Sequence, residues 1–422
     1  MSTTPRSLRS VAVAAVATSA LVVAACGGSK SGSAGGTGGS AGGTLVLGVL
    51  APFTGPNAQA AADMMKGINL AVKEVNATGG AGGKMLKVVT GDTVSDPTDA
   101  VSAASKLINA DGAQIIIGPR TITGPAVLPK SMLSKIPEFL VGGSTVLDQN
   151  TDPYFFRPSP SDSQQGIAMA AYAEKKGYKK AALAFEQQPA AQTLKKPITD
   201  AFTKHGGQIT AVVDITPAQS SYRSEIQKLY AGKPDAIFTQ VSAQTASAFF
   251  PEVRQLGGLK TPFIGTNVFD SSNFFQAVGP EIAAAPIFAT QASATAGAGS
   301  QHYLDAYNAA YGTKQAANLS PDCYDAVMLA ALAVQKSGAT TGKAVADAVT
   351  QVSNPPGTAV STYADAVKAI KAGQKTNYDG AAGNDDFNQY HNVFGPFTVL
   401  HFNSSGGTDV VETLPASLLS GY

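Results

Sequence analysis

From Thr44 onward, short β-rich runs alternate with stretches of helical period. Leu45 to Leu50 reads as a strand ending in the turn Phe53-Thr54-Gly55-Pro56. A helix follows, with Met65, Ile68, Val72 and Val75 on one face and Gly79-Gly80 closing it. Val88 to Val89, Gln114 to Gly118 and Phe139 to Val141 are further strand candidates, separated by helices such as the one carrying Val101, Ala104, Leu107 and Ile108. The pattern pauses at Arg157-Pro158-Ser159-Pro160-Ser161-Asp162 and restarts. New strands are predicted near Ala181 to Phe185, Ala211 to Asp214, Ala236 to Thr239 and Phe263 to Gly265. A second pause, Thr290 to Ser300, precedes helices from His302 to Tyr311 and from Tyr324 to Lys336. Such alternation predicts an α/β protein whose parallel sheets are covered on both faces. Two such lobes leave a crevice at the carboxyl ends of their strands, where open α/β sheets bind ligands.

Length fits this picture, because 422 residues suit two lobes of ordinary size. The net charge of +1 and 14% charged residues give no electrostatic grip on nucleic acid. Cys26 and Cys323 form neither a disulfide framework nor a CxxC pair. His205, His302, His391 and His401 stand far apart, without metal-ligand spacing, and read as surface residues. Gly338-Ala339-Thr340-Thr341-Gly342-Lys343-Ala344 resembles a phosphate loop but is one residue short and lacks the hydroxyl after lysine. No GxSxG elbow occurs, and Cys323 reads as a buried apolar residue. Asp325 reads as an acidic residue serving the first turn of its helix. No catalytic residue, cofactor or metal is expected, so the chain does not read as an enzyme.

The N-terminus has the layout of a signal peptide, residues 1–25: Arg6 and Arg9, an apolar run from Val11 to Ala25, then small residues. The run is shorter than the roughly 20 residues a bilayer span needs. Val23-Ala24-Ala25-Cys26-Gly27 resembles a bacterial lipobox, which makes Cys26 the lipidated first residue of the mature chain. Residues 26–43, nearly all Gly, Ser, Ala and Thr, read as a flexible tether. The expected location is outside the cell membrane, held to its outer face by lipid.

Over Thr44 to Thr413 the chain resembles the type I periplasmic binding proteins of the leucine/isoleucine/valine receptor family. The motifs that carry the resemblance occur in order. They are Thr54-Gly55-Pro56-Asn57-Ala58-Gln59, Val75-Asn76-Ala77-Thr78-Gly79-Gly80, Asp92-Thr93-Val94-Ser95-Asp96-Pro97, Ile115-Ile116-Ile117-Gly118-Pro119, Gly143-Ser144-Thr145, Phe156-Arg157-Pro158 and Tyr324-Asp325-Ala326-Val327. The resemblance implies two Rossmann-like lobes joined by three hinge crossings, with 44–159 plus 290–375 forming lobe 1 and 160–289 plus 376–422 forming lobe 2. It further implies a monomer that captures a small solute in the cleft and delivers it to ABC permease subunits. The alternative is a sensory receptor serving a signalling partner.

Family ligand positions carry over residue by residue. A hydroxyl after the IIGP strand binds the ligand carboxylate in the family; spacing to Gly124 favours Thr123, and spacing to Pro129 favours Thr121. Arg120 stands beside both and could reach an anionic group. Gly143, Ser144 and Thr145 fall where the family meets the amino-acid head, with Thr145 as donor and the Gly143 carbonyl as acceptor. In the second lobe the pattern is altered. Ala190 and Ser242 replace aromatics, Gln240 lies beside the latter, Ala60 replaces another aromatic, and Asn267 stands where a glutamate pairs with the ligand ammonium. Asp270 is the nearest acidic substitute, and Phe53, Phe185 and Phe269 are candidate stacking residues. These departures predict a ligand bulkier than leucine, with a carboxylate or amide head and no need for an α-amine.

Overall fold

Alternate residues of β1 (Thr44–Ala51) enter different cores, as the two-residue period of a strand requires. Leu45, Leu47 and Val49 join one apolar cluster, while Leu50 joins another on the opposite face. β1 pairs in parallel with β2 (Met85–Asp92) and β3 (Ile115–Ile117). The sheet continues through β4 (Glu138–Phe139) and β5 (Phe155–Phe156), in the order β2-β1-β3-β4-β5. A computed structural model describes residues 42–421 of the protein, apart from Pro56 and Gln315. The leader, Cys26 and all of the tether before residue 42 lie outside the described residues.

The second sheet repeats the rule. In β6 (Lys180–Glu186), Ala182 and Ala184 face one cluster while Ala181, Leu183 and Phe185 face the other. β7 (Gln208–Ile215), β8 (Ala236–Gln240), β9 (Phe263–Gly265) and β10 (Ile287–Ala292) run parallel with it. A small parallel pair, β11 (Thr358–Val360) with β12 (Thr376–Tyr378), lies against the first core. The chain then returns to the second sheet as β13 (Phe397–Phe402) and β14 (Thr408–Leu414), giving the order β14-β13-β10-β9-β8-β6-β7. β13 is antiparallel to β10 and β14 to β13, so this sheet is mixed where an all-parallel one was expected. A five-residue turn between two adjacent strands permits only the antiparallel hairpin.

The most buried helix, Ser320–Ser337, packs against Ala58–Ala77 in the first core. Gly67 sets their spacing: a Cβ there would lie 1.9 Å from the Ser320 carbonyl oxygen. Cys323 is buried in this helix, as its apolar reading required. Asp325 does not serve the helix start. It is buried, and its carboxylate accepts from Tyr378 Oη at 2.9 Å and from the Ala381 and Ala382 N–H groups, both at 2.7 Å.

The chain passes between the sheets three times, at 157–162, 292–298 and 393–397. The expected division at 375/376 would assign Tyr378, Ala381, Phe387 and Val393 to the second lobe, yet all four pack in the first core. The division at 289/290 cuts β10, which runs to Ala292. Two adjacent glutamines stitch the passages together. Gln164 donates to the Val393 carbonyl at 2.9 Å and accepts from Gly395 N–H at 3.2 Å, and Gln165 donates to the Thr290 carbonyl at 2.8 Å. Arg157 N–H also donates to the His391 carbonyl at 2.9 Å. Side chains one turn into the helix Asp162–Lys175 therefore set the geometry where both lobes meet.

Candidate ligand-binding cleft

Parallel strands end at one edge, so the loops after β3, β4, β6, β8 and β9 converge. Between them lies a cavity of about 360 Å³, lined from the first lobe by Arg120, Thr121, Thr123 and Gly143 and from the second by Asp162, Gln188, Ala190, Gln240 and Asn267. The volume suits a small molecule and is at the lower end for ligand pockets.

The loop after β3 supplies the charge. Arg120 Nε is buried without a hydrogen-bond partner, and the guanidinium is in no ion pair among the described residues. Burial pulls its pKa down, with the distant carboxylates of Asp162 and Asp63 acting the other way. Thr121 Oγ1 accepts from Gly143 N–H at 2.9 Å, which leaves its own proton free to donate. Thr123 is buried, and its hydroxyl donates to the Arg120 carbonyl over 3.4 Å. Both threonines line the cleft.

Gly143 also lines it, but its carbonyl already accepts from Asp162 N–H at 2.7 Å. A Cβ at Gly143 would sit 1.9 Å from Asp162 Oδ1, so only glycine lets that carboxylate lie where it does. Burial raises Asp162 to about 6, opposed by the cations of Arg157 and Arg120. At the far wall burial raises Asp322 to about 7. Both carboxylates still meet the water of the cleft.

Three expected residues lie outside the lining. Ser144 is buried, and its carbonyl is held by Arg157 Nη1 at 2.9 Å. Thr145 begins the short 3₁₀ turn Thr145–Leu147, which follows that anchor. Ser242 caps the helix Ala243–Gln255, accepting from Thr245 N–H at 3.3 Å and donating to Glu186 Oε1 at 2.7 Å. The stacking candidates also fail. Phe185 and Phe269 are fully buried in the second lobe's cores, Phe269 stacked on Phe274 at 4.1 Å, and Phe53 packs against the first core. Asp270 accepts from Thr408 Oγ1 at 2.8 Å and faces a neighbouring chamber.

Sequence reasoning missed Gln165, Gln188, Gln291, Asn318 and Asp322 as lining residues. Gln188 could have been found, because it stands three residues past a predicted strand end, where an α/β sheet places its ligand loops. The other four lie near the start of the helix Asp162–Lys175, at the end of β10 and around the start of the helix Ser320–Ser337, and periodicity does not mark them as lining.

A cleft between two α/β lobes, walled by polar side chains from both, is the binding site of a receptor-type protein. The chain belongs to the periplasmic binding protein family, whose model matches residues 44–407. It is 28% identical over 319 residues to a Leu/Ile/Val-binding protein of Rhizobium johnstonii, covering 72% of this chain and 83% of that one. It is 27% identical over 370 residues to a chemotactic signal transduction system substrate-binding protein of Halobacterium salinarum, covering 81% of this chain and 83% of that one. Among solved structures, the LivJ branched-chain amino acid transporter substrate-binding protein of Streptococcus pneumoniae, in complex with isoleucine, superposes with a TM-score of 0.71 at 22% identity, over 88% of this chain and 99% of that one. A Rhodopseudomonas palustris solute-binding protein in complex with benzoate gives 0.69 at 20% identity, over 88% and 97%. These two likenesses establish the fold alone.

Proposed function

We propose that the protein is an extracytoplasmic receptor that captures a small carboxylate-bearing solute between its lobes and presents it to ABC permease subunits, without making or breaking a bond. The observation that carries this reading is Arg120, which lines the cleft with a buried Nε that has no hydrogen-bond partner among the described residues. A carboxylate would complete it with charge-assisted hydrogen bonds. Thr121, whose hydroxyl proton is free, is the hydroxyl we assign to the same carboxylate; Thr123 positions the Arg120 carbonyl. Gln240 and Asn267 supply neutral hydrogen bonds from the second lobe, and Ala190 leaves room for ligand bulk. We take the first lobe as 44–157 with 298–393 and the second as 162–292 with 397–421.

Ligand binding stabilises the folded state by about 2.7 kcal/mol at a hundredfold excess over Kd, so a thermal-shift panel resolves true binders. The panel is leucine, isoleucine, valine, benzoate, 4-hydroxybenzoate and 6-aminohexanoate. At least one acid should bind, and Arg120→Gln should weaken it about ten- to a hundredfold in calorimetry, the worth of one charged hydrogen bond. Micromolar binding of a branched-chain amino acid, weakened by Asn267→Ala, would show instead that the α-ammonium site survives without its glutamate.

The relative from a chemotaxis system supports a second reading, a sensory receptor. Loss of uptake on deletion favours transport; loss of taxis alone favours sensing. We also propose that Cys26 is lipidated. Cys26→Ser should release the protein from washed membranes into the soluble fraction, and retention there would refute the anchor.

A further inference from the structure

At Asp322 the cleft adjoins a second chamber. Pro160, Gln291, Ala292, Asn318, Leu319 and Asp322 line the cleft on one side and this chamber, of about 390 Å³, on the other. Among the described residues no lysine, arginine or histidine lines that chamber, yet Asp270, Asp322 and Asp385 do. Asp270 has a partner in Thr408. Asp385 is 2% exposed, and its Oδ2 is buried without a hydrogen bond among the described residues. The loop that carries it is fixed from behind by Asp325, which accepts from the Ala381 and Ala382 N–H groups. Burial, and then the carboxylates of Asp325 and Asp322, hold Asp385 well above the usual carboxylate range.

A buried carboxylate with no donor costs stability unless a cation or proton completes it. Among the described residues no group of acidic side chains is arranged to hold a metal ion. An organic cation needs no coordination geometry, and the chamber has room for one. The two neighbouring cavities therefore differ in charge: Arg120 lines the cleft, Asp385 the second chamber, and Asp322 both.

Resting on the receptor reading above, we propose that the second chamber seats an ammonium or guanidinium group of the ligand on Asp322 and Asp385, so that the solute is an extended zwitterion whose cation is remote from its carboxylate. This differs from an α-amino acid site, where both charges share one carbon. It also gives a physical meaning to Asn267: the cation is read by the second chamber, so position 267 needs no charge.

Matched acids isolate the cation. Calorimetry on the purified protein compares 4-aminobutanoate with butanoate, 6-aminohexanoate with hexanoate, 8-aminooctanoate with octanoate, and 4-(aminomethyl)benzoate with 4-methylbenzoate. In at least one pair the amine should bind tenfold or more tightly than its deaminated partner. Asp385→Asn and Asp322→Asn should each collapse that ratio toward one. Each variant is first checked for a cooperative thermal melt, and if Asp385→Asn does not fold, Asp322→Asn decides. Acids that bind while no amine gains, or a gain that survives the variants, overturn the second chamber and leave the receptor reading standing. If neither acids nor amines bind, the receptor reading fails and this inference with it.

Discussion

Replacing Arg157 by leucine should cost about 3 kcal/mol of folding stability, the low end of the penalty for breaking a buried ion pair. Arg157 is only 1% exposed although it carries a full charge at the first passage between the lobes. Its Nη2 donates to Asp148 Oδ1 at 2.5 Å and its Nη1 to the Ser144 carbonyl at 2.9 Å. Leucine fills part of the space but leaves the Asp148 carboxylate with only Ser163 Oγ, at 2.5 Å. The low end applies because the Asp148 side chain is 26% exposed and water offsets part of the loss. Arg157→Lys should recover little, since one ammonium cannot reproduce the two-pronged contact. Urea unfolding of the three proteins measures this; a loss below about 1 kcal/mol for leucine would show that the arginine does not hold the lobe junction together.

The second large effect is a pH dependence. Glu138 is 0% exposed in β4, and burial raises its pKa from 4.5 to about 8, opposed by the neighbouring Ser131 hydroxyl and reinforced by Asp152. The folded state thus keeps a proton that the unfolded chain has released. Below about pH 4.5 both states are protonated and nothing is lost. Between there and pH 8 stability falls by about 1.4 kcal/mol per unit, then levels off. Glu138→Gln removes this slope. Relative to the variant, the native protein should lose about 3 kcal/mol between pH 5 and pH 7. Parallel stability curves would show that Glu138 is ionised in the fold or stabilised by a group that faces it.

Much of the architecture was legible because local rules decide it. Apolar runs such as Leu45 to Leu50 and Ala181 to Phe185 are bounded by turns and can only be buried strands. β9 coincides with its predicted span Phe263–Gly265. β13 and β14 were not legible. Phe397–Phe402 follows a long irregular segment, and its partner β10 lies about a hundred residues earlier, so no local period reveals the pairing. In the cleft, the first-lobe loops were placed to within a residue or two, because glycine and hydroxyl positions follow strand ends. Ser144, Thr145 and Ser242 missed the lining for a common reason. Each sits where a backbone turn or a helix cap needs it, and such needs are decided by partners distant in sequence, Arg157 and Glu186. Asp322 and Asp385 escaped notice because their meaning lies in what is absent around them in space.

The central claim is a cleft that closes on a carboxylate solute. The passages at 157–162, 292–298 and 393–397 are the segments whose dihedral changes would bring the two lobes together. Small-angle scattering of the purified protein, empty and saturated with the tightest acid of the panel, tests this directly. A smaller radius of gyration in the saturated protein, lost in Arg120→Gln at the same ligand concentration, is the predicted result; an unchanged radius at calorimetrically verified saturation would contradict a closing receptor.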